Sequence, residues 1–81
     1  MNYIKEIIEK DNSTLEELIN CFELVKENGD IAIIKFDGER KENVYTVFIS
    51  FPPIKEREMI RADESNLRKA LLKVLAVYIK E

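Results

Sequence analysis

The chain of 81 residues is 46% hydrophobic and 36% charged, with two glycines and two prolines, which excludes disorder and describes one domain, residues 1–81, small enough for its stability to be modest. Its net charge of −3 argues against a protein whose main work is neutralising phosphates. Histidine is absent and cysteine occurs once, which removes the commonest general base, any structural zinc set and any intrachain disulfide.

From the N-terminus, Asn2 to Lys10 can form a short helix with Tyr3, Ile4, Ile7 and Ile8 on one side. Ser13 followed by Glu16 reads as a capping box, so a second helix is expected from Thr14 to Asn28, with Leu15, Leu18, Ile19, Phe22 and Val25 at helical spacing. Gly29 supplies a left-handed stop. Cys21 lies among the apolar positions of this helix and reads as a small buried hydrophobe, consistent with a reducing compartment.

Ile31 to Phe36 and Val44 to Phe51 read as two strands joined by the charged hairpin loop 37–43 and ended by Pro52-Pro53. Both runs are apolar on successive residues, whereas a half-buried strand alternates. Each face of the sheet therefore needs a cover. Glu58 to Ala62 can add a short edge strand whose charges guard it against further pairing. Asp63 is a good N-cap for a last helix from Glu64 to Ile79, striped by Leu67, Ala70, Leu71, Val74, Leu75 and Tyr78. The expected class is α+β: a two- to three-stranded antiparallel sheet with flanking helices in the order α-α-β-β-β-α. An α/β/α sandwich is the leading arrangement, with helices 14–28 and 64–79 on opposite faces. If both helices lie on one face instead, Ile33, Phe48 or their neighbours are left bare, and the strands become the interface.

Leu72, Val77 and Ile79 fall outside the stripe of the last helix. They are either an interface for self-association, as in a homodimer, or the mark of a deeply buried helix. Lys55, Arg57 and Arg61 are candidate anion contacts, or charges that protect an edge strand. No glycine-rich phosphate loop and no nucleophile elbow can be built from Gly29 and Gly38. Catalysis would rest on carboxylates and lysines alone. The expectation is a protein that is not an enzyme and carries no metal and no cofactor. The first ten residues are charged throughout and no apolar run approaches a membrane span, so no leader and no membrane anchor is expected and the location expected is cytoplasmic. Residues 1–30 hold three basic against eight acidic side chains, and residues 31–81 ten against eight. Such a split is usually a solvated face.

Three resemblances bear on function. Helix, three antiparallel strands and helix is also the order of the double-stranded-RNA-binding domain, with Arg68, Lys69 and Lys73 where that family places a basic cluster. The chain lacks that family's lysine pair and its histidine-bearing loop, and nucleic acid is not the expected partner. Val44 to Pro52 followed by Ala62 to Leu72 resembles HicB-type antitoxins, although those begin directly with a strand. Residues 14–79, and above all Arg61-Ala62-Asp63-Glu64-Ser65-Asn66-Leu67-Arg68-Lys69-Ala70-Leu71-Leu72-Lys73-Val74-Leu75, resemble the phage ABA sandwich domain family of small phage accessory proteins. The resemblance implies a viral or prophage protein of the host cytoplasm that acts by binding, either inhibiting a host defence protein or sequestering a defence signalling ligand. It carries over no functional residue.

Overall fold

The computed structural model describes residues 2–80. Helix α1 spans Asn2–Glu9, α2 Leu15–Glu27, strand β1 Ile31–Phe36, β2 Tyr45–Ser50, a single 3-10 turn Pro53–Lys55, β3 Ile60–Glu64 and α3 Leu67–Tyr78. The class and the order of elements are those expected from the sequence. The sheet is antiparallel in the order β1-β2-β3. Ile31 stands opposite Ser50 and Phe36 opposite Tyr45, while Tyr45 stands opposite Glu64 and Ile49 opposite Ile60.

β2 is shorter by one residue at each end than the expected Val44 to Phe51, and β3 lies two residues later than the expected Glu58 to Ala62; two helix starts also differ from expectation. The capping box of α2 is built one residue later, by Thr14 and Glu17: the Thr14 hydroxyl accepts from the Glu17 backbone N–H at 3.1 Å, and Glu17 Oε1 accepts from the Thr14 N–H at 2.9 Å. Ser13 is instead buried, and its carbonyl accepts from Arg68 of α3. Asp63 is not a cap either. It lies in β3 opposite Thr46, and Asn66 caps α3 by accepting from the Lys69 N–H at 2.9 Å. The strand wins residues 63 and 64 because the β2 ladder continues to them, a tertiary pairing that local cap preference cannot weigh.

Larger still is the difference in layers. Ile49, Val47, Ile60 and Ala62 point one way and are buried with Leu18, Cys21 and Val25 of α2 and Ala70, Leu71, Val74 and Leu75 of α3. The alternate residues Ile31, Ile33, Lys35 and Arg61 are exposed. α2 packs on β1, α3 on β2 and β3, and the two helices pack on each other, while α1 touches α2 and α3 and no strand. The thinnest dimension of the fold is 17 Å. Helices on both faces would place two helix layers roughly 20 Å apart before their own thickness is added. The fold thus has two layers in place of the α/β/α sandwich, and the second face of the sheet carries no helix among the described residues.

A polar knot holds both helices on the same side. The Tyr78 hydroxyl at the end of α3 donates to Asp30 Oδ2 at 2.7 Å and accepts from Asn28 Nδ2 at 3.0 Å, so the α2–β1 junction is tied to the last turn of α3. Gly29, at φ +88°, makes that junction possible.

Candidate interaction surface

The helix-free face is the feature most open to function. Across its centre run Ile33, Phe48 and Arg61, cross-strand neighbours on β1, β2 and β3, with Ile31 and Ser50 on one side. Ile31 is 58% and Ile33 43% exposed, and Phe48 is half-buried. On the other side lies a charged patch. Asp63 receives the Thr46 hydroxyl at 2.5 Å, Arg61 at 3.1 Å and Arg40 at 3.1 Å, and Arg40 reaches it from the hairpin loop, where it also donates to the Asn43 carbonyl. These donors, Arg61 first, hold the Asp63 carboxyl well below the usual carboxylate range. Thr46 is buried beneath them. Asp37 pairs in turn with Lys35 at 3.4 Å and with Arg40 at 3.3 Å, so the face is an apolar strip bordered by Lys35, Arg40 and Arg61, with Asp37 and Asp63 among them.

The two edges of the sheet differ. β3 presents Arg61, Asp63 and Glu64 beside Lys73 of α3, which pairs with Glu64. β1 has Lys35 as its single charge. Beside it, between β1 and the outer row of α2, runs a groove of about 390 Å³ lined by Ile19, Phe22, Ile31, Ala32 and Ile34, with Glu23 and Lys26 at its rim. At the far end of β1 the Phe36 ring stands nearly perpendicular to that of Tyr45, with 5.3 Å between their centres, and is 67% exposed.

A second cluster has the residue types of a reactive site. Asp30, with 2% of its side chain exposed, takes the Lys55 ammonium at 2.6 Å and the Tyr78 hydroxyl. Arg57 lies over the Phe51 ring at 4.6 Å and donates to the Val77 and Tyr78 carbonyls at 3.0 Å. Burial raises the Tyr78 phenol above its ordinary value. Among the described residues no buried side-chain polar atom lacks a partner. Each group here is committed to another, and the arrangement does what a staple does: it fastens the segment after β2 to the ends of α2 and α3.

The remaining sequence candidates fall as follows. Lys55 and Arg57 come together in this staple, whereas Arg61 stands apart on the open face. Leu72 and Ile79 are half-buried against the core, and Val77 is 44% exposed on another side of α3. Arg68 serves the Ser13 carbonyl, and Lys69 and Lys73 both face Glu64. Cys21 is fully buried, and burial pushes its thiol up to about 11. No cluster of metal-ligating residues and no helix long and apolar enough to cross a membrane occurs among the described residues. The sequence places Ile31 and Phe36 in a two-faced apolar strand without singling out either as a contact residue. Their signal was the lack of guarding charges along β1, which alternation of polarity alone does not report.

Compared with protein-family models, with curated proteins and with solved structures, the chain matches none of them.

Proposed function

We propose that the protein is a binding module without catalytic chemistry, and that it engages a protein partner through the open face of its sheet. The observation that supports this most directly is the strip of exposed Ile31 and Ile33 beside half-buried Phe48, which the helices leave uncovered because both lie on the other face. An apolar centre with a charged rim is the anatomy of a protein–protein interface. The rim carries Lys35, Arg40 and Arg61 against Asp37, which pairs with Lys35 and Arg40, and Asp63, so the partner is expected to bring an apolar anchor with polar neighbours of mixed charge. Inhibition by occlusion needs nothing more than this. The resemblance to phage accessory proteins supports a host protein of the cytoplasm as the partner, and that element rests on sequence likeness alone. Antitoxin-like neutralisation of a cognate protein would use the same face.

The test is capture. Tagged wild-type protein and a Phe48→Lys variant are exposed to the same host lysate, and the variant, still folded by circular dichroism, is expected to lose a partner that the wild type retains. Equal recovery by both proteins would remove the open face from the interaction. For double-stranded RNA, Glu64 offsets part of the charge of Lys69 and Lys73, Arg68 is held at the Ser13 carbonyl and the net charge is −3, so no salt-dependent binding to a duplex is expected.

A further inference from the structure

The two edges of the sheet are built on opposite plans, and β1 has the character of a strand waiting for a neighbour. The Asp37 N–H donates to the Val44 carbonyl at 2.8 Å. In an antiparallel ladder the backbone groups of successive residues alternate in direction, so those of Lys35, Ile33 and Ile31 face β2 and those of Ala32, Ile34 and Phe36 face outward. The strand is regular over its length, with no proline and no bulge, and its one charge, Lys35, stands on the open face. Native edges without such guards are sites of strand addition.

We propose that β1 pairs antiparallel with β1 of a second copy of this chain about a two-fold axis at Ile34, joining two three-stranded sheets into one of six strands. Self-complementarity singles out the second copy as occupant. In this register Ile34 meets Ile34 of the partner copy, and Phe36 stands opposite Ala32. Phe36 lies on the helix side of the sheet, as Ala32 and Ile34 do, so its exposed ring enters the groove that Ile19, Phe22, Ala32 and Ile34 line beside the smallest side chain of the strand. The symmetry fills both grooves with both rings, and about six backbone hydrogen bonds form between Ala32, Ile34 and Phe36 of the two copies. A register moved toward the hairpin would stack Lys35 on Lys35. The contact is about 20 Å of strand by a fold 17 Å thick, near the lower end of specific interfaces, so the dimer is a weak one that depends on concentration. This pairing uses the edge of the sheet and does not depend on the open face having a partner.

Sedimentation and disulfide trapping test it together. The wild-type chain is expected to sediment as a dimer at high protein concentration and as a monomer on dilution, and Phe36→Glu is expected to stay monomeric throughout while keeping its circular dichroism. In the proposed register Ile33 of one copy sits beside Lys35 of the other as a pair without mutual hydrogen bonds, at a separation a disulfide spans. An equimolar mixture of Ile33→Cys and Lys35→Cys proteins is therefore expected to form a disulfide-linked heterodimer several-fold faster than either protein alone. The buried Cys21 does not compete. A wild type that is monomeric at every concentration, a Phe36→Glu protein that dimerises as well as the wild type, or a mixture that cross-links no faster than its components would each overturn the proposal. A dimer blocked by Phe48→Lys but not by Phe36→Glu would place the contact on the open face instead.

Discussion

Single side chains divide here into those whose state the local sequence fixes and those set by distant partners. Cys21 belongs to the first group: its place on the apolar stripe of α2 already implied burial, and the structure buries it fully. Its thiol, raised to about 11 by burial, is expected to resist alkylation at pH 8 until the protein unfolds, so that labelling follows the unfolded fraction through a urea titration. Asp63 belongs to the second group, since its donors come from positions 40, 46 and 61. Its carboxyl is depressed, as are those of Glu17 beside Lys10, Asp37 at the Glu39 N–H and Glu64 beside Lys73. A carboxyl depressed by folding stabilises the folded state above its unfolded pKa and loses that contribution as pH falls through the folded value. Thermal stability is therefore expected to be level from neutrality to about pH 5 and to decline below about pH 4, as melting temperatures across that range would show. A protein whose melting temperature rose on acidification would contradict these pairings. Tyr78, raised by burial, works in the opposite sense, and its contribution fades only in strong alkali.

Among elements, the ends carried more uncertainty than the bodies. β1 was legible to the residue because Gly29 and the Asp37-Gly38 turn bracket an unbroken apolar run. The start of α3 was not legible, because Asp63, Ser65 and Asn66 are all competent caps and only the ladder with β2 decides among them. At the start of α2, Ser13 and Thr14 are each followed three residues later by a glutamate, and burial of Ser13 beneath Arg68 hands the cap to Thr14. Thr14→Ala is accordingly expected to destabilise the fold by about 1 kcal/mol, as chemical denaturation would report. Gly29→Ala meets open space but keeps a left-handed backbone, and is expected to cost about 1 kcal/mol through strain alone.

At the scale of the whole molecule, the central consequence is the unequal worth of two neighbouring rows of apolar side chains. Ile49 faces the helices and is fully buried, whereas Ile33 faces away and is 43% exposed. Ile49→Ala is expected to cost about 3 kcal/mol and Ile33→Ala less than about 1 kcal/mol in urea unfolding. A sandwich with helices on both faces would make the two losses comparable. Unfolding of the wild-type chain at several protein concentrations tests whether self-association contributes, since a dimer adds stability that grows with concentration.

Composition, periodicity and turn residues determined the class of this protein, its order of elements, its buried cysteine and its want of histidine chemistry, because each of these follows from local spacing and residue type. Two apolar faces on β1 and β2 were equally plain. What the sequence could not decide was which face the helices would take, since α2 and α3 carry stripes that fit either one. In the folded chain α2 and α3 bury their stripes together against one row of the sheet and pack on each other, and the knot of Asn28, Asp30 and Tyr78 ties their ends. Burial on one side was thereby completed within the chain, and the apolar residues of the other side were left at the surface, where a further chain can meet them.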